Sequence, residues 1–133
     1  MRIINIEGIG PKYKEKLVKY GITSTEKLLE VAASKKGRQS LAGKTGISEK
    51  LILEWVNLSD LVRIKGIGEE YSDLLEEAGV DTVKELRNRK PENLYHKMIE
   101  VNEAKHLVRR TPSLSEVKSW VEQAKKLTPK VTY

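Results

Sequence analysis

Apolar positions in this chain recur at helical spacing almost throughout, and nowhere do they alternate as a half-buried strand would. Tyr13, Leu17 and Tyr20 form one stripe between Pro11, well placed as a first helical residue, and Gly21, which stops the turn. Thr23 or Ser24 then caps "TEKLLEVAA", and Ser34 caps "KKGRQSLA". Ser48 opens a longer run, "EKLILEWVNLSDLV", with Leu51, Trp55, Leu58 and Val62 on its apolar side. A second series follows the same plan. It comprises Glu69 to Ala78, "TVKELRNR" capped by Asp81, "ENLYHKMIEV" started by Pro91, "EAKHLVRR" capped by Asn102, and "LSEVKSWVEQAKKL". Ser113 and Glu116 have the spacing of a capping box at the last of these. The pattern predicts an all-α protein of about nine helices joined by short turns.

The two series are copies. At a constant offset of 58, Ile6 to Leu28 lies on Ile64 to Leu86 without a gap, through Gly8/Gly66, Ile9/Ile67, Gly10/Gly68, Tyr13/Tyr71, Leu17/Leu75 and Gly21/Gly79. Trp55-Val56 falls on Trp120-Val121 at an offset of 65, which puts seven extra residues in the second copy between Arg87 and Arg110. The duplication predicts two units, residues 1–61 and 62–133. No Pro/Gly/Ser-rich stretch separates them, so the run from Glu49 to Val62 is expected to serve both as a shared central helix within one rigid body.

Composition narrows the class. The chain has 133 residues, enough for one compact domain or two very small ones. With 33% charged and 38% hydrophobic residues interleaved along it, a folded and soluble protein is expected. The absence of cysteine removes disulfides, thiolate nucleophiles and cysteine-ligated metals, and suits a cytoplasmic setting. No apolar run reaches membrane-spanning length and no secretory core opens the chain, so no membrane partner is expected. Net charge is +6 and is unevenly shared. Residues 1–61 carry 11 Lys/Arg against 7 Asp/Glu, and residues 62–133 carry 14 against 12. The first copy is thus the better suited to an anionic partner.

The repeated "GIG" carries the clearest chemistry. Two glycines around an isoleucine allow a sharp turn that plugs the apolar side chain into a core, and leave unpaired N–H groups at the start of the next helix. The helix macrodipole adds partial positive charge there, so a phosphate can be held by backbone alone. Neither "GIGPKY" nor "GIGEEY" reaches a third glycine or a lysine-serine pair, which excludes dinucleotide-fold and P-loop readings, and no cofactor is called for. Tyr13, Tyr71, Trp55 and Trp120 sit on apolar stripes and read as core residues. His96 with Glu100, and Glu103 with His106, have metal-compatible spacing, but two histidines on either side of a helix break at Asn102 make no metal site. No catalytic pair or triad assembles from the rest, so no enzyme is read. The clusters "KELRNRK" and "KHLVRR" bring Lys84, Arg87, Arg89, Lys90, Lys105, Arg109 and Arg110 close in sequence, as a second basic patch or a counterpart to the acidic run Glu69 to Glu77.

"IEGIGPKYKEKLVKYGI", with "TSTEKLLEVAA" and "LAGKTGISEKLILEWV", resembles the double helix-hairpin-helix domain of DNA repair proteins and of archaeal and eukaryotic strand-exchange recombinases. The likeness covers nearly all of copy one. The whole chain resembles an uncharacterised bacterial family of tandem helix-hairpin-helix proteins, a domain of unknown function. That resemblance implies two tandem double helix-hairpin-helix (SAM-like) units and nonspecific binding of nucleic acid, DNA before RNA, by hairpin amides and nearby lysines. Carried onto this sequence, it assigns Gly8, Ile9 and Gly10 with Lys12 and Lys14 to a first hairpin, and Gly46, Ile47 and Ser48 with Lys44 and Lys50 to a second. Lys12, Lys16 and Lys19 share a helix face while Lys14 points elsewhere. The third hairpin, Gly66 to Gly68, is followed by Glu69, Glu70, Asp73, Glu76 and Glu77, which oppose an anion. The fourth, near "RRTPSLSE", has no glycine and contains Pro112, and is expected to be degenerate. A protein-binding or scaffolding module that keeps the fold without nucleic acid is the alternative.

Overall fold

A computed structural model describes residues 1–133 as eight α-helices, a short 3₁₀ turn at Ile3–Asn5 and no sheet. The chain divides into two compact units, Met1–Asp60 with Lys130–Tyr133, and Leu61–Pro129. No helix is long and apolar enough to cross a membrane.

Unit one is built from α1 (Pro11–Val18), α2 (Thr25–Ala32), α3 (Lys35–Thr45) and α4 (Glu49–Leu61, whose last residue belongs to unit two). Its core gathers Ile3, Ile6, Ile9, Leu17, Ile22, Leu28, Ile47, Ile52 and Trp55. Gly8 turns the chain at φ +89°, and a Cβ there would lie 3.3 Å from the indole Nε1 of Trp55. The first turn is thereby pressed onto α4, and Ile9 enters the core at 4% exposure. The Tyr13 ring packs against Trp55 at 5.1 Å. α1 ends where Gly21 adopts φ +78° and the Ile22 N–H returns to the Leu17 carbonyl at 3.1 Å, closing a Schellman-type turn. Tyr20, placed on the apolar stripe by its spacing, instead lies outside α1 and is 41% exposed, its hydroxyl donating to the Lys44 carbonyl at 3.0 Å. Ser24, not Thr23, caps α2 by accepting from the Lys27 N–H, and Ser34 caps α3 in the same way.

Unit two repeats this plan with α5 (Glu69–Glu77), α6 (Val83–Leu86), α7 (Pro91–Lys105) and α8 (Leu114–Lys126). Gly66 turns at φ +100°, with a Cβ there 3.0 Å from Trp120 Nε1, and Tyr71 packs on Trp120 at 5.2 Å. Two caps differ from expectation. Thr82, not Asp81, caps α6 by accepting from the Glu85 N–H, in register with Ser24 at the offset of 58. Asn102 caps nothing: α7 runs through it, and its side chain clasps Val108, accepting from its N–H at 2.9 Å and donating to its carbonyl at 3.1 Å. That clasp draws Val108 into the core and leaves His106 to Ser113 as a connection without helix, where a separate capped helix was expected. The extra residues of the second copy fall mainly here. The left-handed C-caps Gly46 and His106 are 60 apart, whereas the N-caps Ser48 and Ser113 are 65 apart.

The tail was grouped with the second copy by sequence, yet Lys130–Tyr133 belongs to unit one, because Val131 is buried there and Arg38 holds the Thr132 carbonyl at 2.6 Å.

A side chain at a left-handed glycine costs roughly 1–2 kcal/mol before any clash. Gly8→Ala and Gly66→Ala should each destabilise by at least about that much in urea unfolding. Gly43→Ala, mid-helix in α3 with open space around it, should stabilise by about 0.5–1 kcal/mol. Equal effects of Gly66→Ala and Gly43→Ala would refute the strain argument.

Candidate functional site

The two glycines of the first "GIG" have different tasks. Gly8 is required by its positive φ and by Trp55. Gly10, the N-cap of α1, has φ −84° and ψ −179°, a conformation open to any residue, and beyond its own chain neighbours no atom lies within 4 Å of where its Cβ would be. It gives α1 no side-chain cap, although serine caps α2 and α3 nearby. Pro11 follows at the first helical position and has no N–H, which leaves the amides of Lys12 and Tyr13 as first-turn donors. The helix starts uncapped and uncovered. Ile9 and Ile47 are buried, so of the predicted site residues these two present no side chain to solvent.

The turn from Gly46 to Ser48 is fixed by α3's last residues. Gly46 closes α3 at φ +74°, the Thr45 hydroxyl donates to the Leu41 carbonyl and accepts from the Ile47 N–H, and Ser48 accepts from the Leu51 N–H at 3.2 Å. Gly46 is thus explained by its conformation.

The predicted lysines do not form one group. Lys44 is drawn beside Lys16 and Lys19 by the Tyr20 hydrogen bond, and the three line a depression of about 220 Å³ with Tyr20 and Thr45. Lys12, Lys16 and Lys19 follow one side of α1 over about 10 Å. Lys14 faces a different hollow, with Pro11, Glu15 and Val18. Lys50 lines a third, with Lys35, Arg38, Glu49, Leu53 and Tyr133. Lys16 and Lys19 were legible as sharing a face with Lys12, but their meeting with Lys44 depends on Tyr20 turning outward. Arg38 was missed altogether. It falls on the i, i+3, i+4, i+7 series with Leu41, Ala42 and Thr45, and a charge at a core position was the available signal.

In unit two α5 also starts without a side-chain cap, at Gly68, but with Glu69 and Glu70 in its first turn, and the start of α8, the counterpart of α4, is filled. Ser113 and Glu116 form the capping box, and the Glu116 carboxylate also takes a bidentate pair from Arg110 at 3.0 and 3.1 Å. The Arg110 carbonyl is held by the Tyr71 hydroxyl at 2.9 Å, and burial pushes that hydroxyl's pKa up, which keeps it a donor. Arg110, together with the Ser113 N–H, holds the Glu116 carboxyl down at about 2 from the ordinary 4.5. At the equivalent place in unit one stands Leu51, with no carboxylate. The basic clusters of the second copy are also partly neutralised, with Arg89 paired to Glu85, Lys105 to Glu77 and Arg110 to Glu116. No group of three His, Asp or Glu side chains is placed to hold a metal ion.

Fold and site together define an all-α protein of two similar helical units, whose equivalent helices α1 and α5 both start at a glycine without a side-chain cap, the first followed by Lys12, Lys14 and Lys16 and the second by Glu69 and Glu70. The chain belongs to the DUF4332 family, a domain of unknown function, which matches residues 7–127. No curated protein and no solved structure matches it.

The lowered Glu116 pKa has a defined pH signature. Folding favours its ionised form, so the stability it contributes is complete above about pH 4.5 and is lost as pH falls toward 2. Glu116→Gln keeps a capping side chain but removes the charge. It should lower the thermal midpoint at pH 7 and show a shallower decline than wild type between pH 4.5 and 2.5, measured by circular dichroism. Parallel pH profiles for the two proteins would contradict this role.

Proposed function

We propose that this protein binds nucleic acid without sequence readout, through unit one, as a tandem helix-hairpin-helix protein whose first hairpin presents the start of α1 to phosphate. The observation that carries the reading is Gly10. Neither its conformation nor the space around it calls for glycine, and a serine or aspartate would cap α1 better. A bare backbone at a helix N-terminus is what close approach of a phosphate needs. Lys12 stands in the same turn, and Lys16, Lys19 and Lys44 extend the positive surface along α1. Ser48 and Lys50 supply the second hairpin. Phosphate contacts of this kind position a duplex without reading bases, so affinity should depend on salt more than on sequence. DNA is preferred to RNA on the helix-hairpin-helix likeness alone. The reading is of a cytoplasmic binding protein, not an enzyme.

A protein-interaction role is favoured for unit two, where Glu116 and Arg110 satisfy the start of α8 and α5 opens with Glu69 and Glu70. There, carboxylates occupy or surround the positions that a phosphate would need.

Anisotropy titrations of labelled duplex and single strands at about 50 and about 200 mM salt test the assignment. Wild type should bind weakly at the lower concentration and lose most of its affinity at the higher. Gly10→Asp adds a cap, worth a few tenths of a kcal/mol, and a repelling charge. It should retain or raise the thermal midpoint while abolishing binding. Lys16→Glu with Lys44→Glu should weaken binding to all sequences alike and flatten the salt dependence. Absence of wild-type binding at the lower salt would defeat the nucleic-acid reading. Undiminished binding by Gly10→Asp would move the site away from α1.

A further inference from the structure

Residues 128–133 follow α8 with no regular structure, and the family match ends at 127. Arg63 holds the Thr128 carbonyl at 2.8 Å, and beyond Pro129 the chain joins unit one. There it has the pattern of a bound extended peptide. Val131 is buried at 8% exposure between exposed Lys130 and Thr132. The Thr132 N–H donates to the Ala33 carbonyl at 2.9 Å, and the Thr132 carbonyl accepts from Arg38 at 2.6 Å, so unit one reads both main-chain groups of one residue. The Tyr133 ring lies 6.0 Å from the Arg38 guanidinium and borders a cleft of about 310 Å³ with Lys35, Glu49, Lys50 and Leu53.

The groups that read the tail are held by other bonds as well. Ala33 is the C-cap of α2, its N–H bonded to the Leu29 carbonyl. Arg38 is 4% exposed and donates through its other terminal nitrogen to the carbonyls of Ala32 and Ala33, at 3.2 and 2.8 Å. A guanidinium tethered at one end to a helix terminus stays in place when its peptide partner leaves, and pre-organised donors of this kind favour peptide capture.

We propose that this face of unit one is a docking groove for an extended peptide, with the chain's own Lys130–Tyr133 as resident ligand in cis. Its recognition pattern is an aliphatic residue in the core pocket, a residue whose N–H and carbonyl are both bonded, then an aromatic residue beside Arg38. Four residues with one buried side chain open locally, without unfolding the unit, so the tail exchanges with an added peptide of the same pattern.

The test uses the full chain. Val131→Asp expels the tail by placing a charge in the apolar pocket, and leaves Ala33 and Arg38 intact. The probe is a synthetic peptide of residues 127–133 with an N-terminal fluorophore, followed by anisotropy. The variant should bind it saturably. Wild type should bind it at least about tenfold more weakly, because its own tail competes at high effective concentration. Adding Arg38→Lys, which keeps the charge but cannot bridge the Ala33 and Thr132 carbonyls, should reduce binding by about tenfold or more. Thr132→Pro, which removes the N–H given to Ala33, provides a second way to free the groove and should give the same gain in peptide binding. No saturable binding by either folded variant, or binding indifferent to Arg38→Lys, overturns the groove. A wild-type dimer that Val131→Asp dissociates overturns the cis occupancy and places the tail on a second copy.

Discussion

In each unit a glycine backbone runs against the edge of a tryptophan ring, and the local fold depends on that approach. A methyl group at Gly8 or Gly66 would stand 3.3 or 3.0 Å from the indole nitrogen, in a backbone conformation that L-residues avoid. Because the turn can come this close, Ile9 or Ile67 reaches the core and the following helix starts at a set position. The tyrosine one turn along that helix, Tyr13 or Tyr71, then covers the same tryptophan. Turn, first helix and last helix of a unit are thereby fixed by a few residues that pack on one ring.

Those residues were legible because they recur. The gapless register from Ile6 to Leu28 identified the turns, the buried isoleucines and the paired tyrosines, a second match at an offset of 65 identified the tryptophans, and apolar spacing gave the all-helical character. Caps were legible where a hydroxyl stood directly before a helical pattern, as at Ser34 and Ser113. At α6 the cap is Thr82 and not Asp81, and the register could not decide it, because the equivalent pair Thr23 and Ser24 was itself left open. Asn102 misled because its side chain has two uses. Its capping tendency was read, but its amide instead clasps a backbone six residues ahead, a contact with no periodicity. The grouping of Lys44 with Lys16 and Lys19 was hidden for a related reason, since it depends on a tyrosine leaving its apolar stripe to reach a carbonyl 24 residues away.

The two units show how duplicated helix starts diverge through small changes. Ser48 and Ser113 cap equivalent helices by the same bond, yet the third helical residue is Leu51 in one and Glu116 in the other. A carboxylate there satisfies a backbone donor and engages Arg110, which makes the helix start self-sufficient. With leucine in its place, the start of α4 keeps the Ser48 cap and the Glu49 carboxylate in its first turn, but not the second backbone bond of a capping box. The first helices diverge in the same sense, with Lys12 and Lys19 in one copy where the other has Glu70 and Glu77. The framework is common to both units. Their first helices carry opposite charge.

The pairing of one tryptophan with each unit has an optical consequence. The chain has two tryptophans and no more, and each is almost wholly buried beside a tyrosine at equivalent distance. With Trp55 or Trp120 replaced by phenylalanine, the remaining indole emits from a single unit, and nearby Tyr13 or Tyr71 acts as its energy donor. The protein therefore carries an intrinsic two-channel reporter, in which the melting of each half can be followed separately without an added dye.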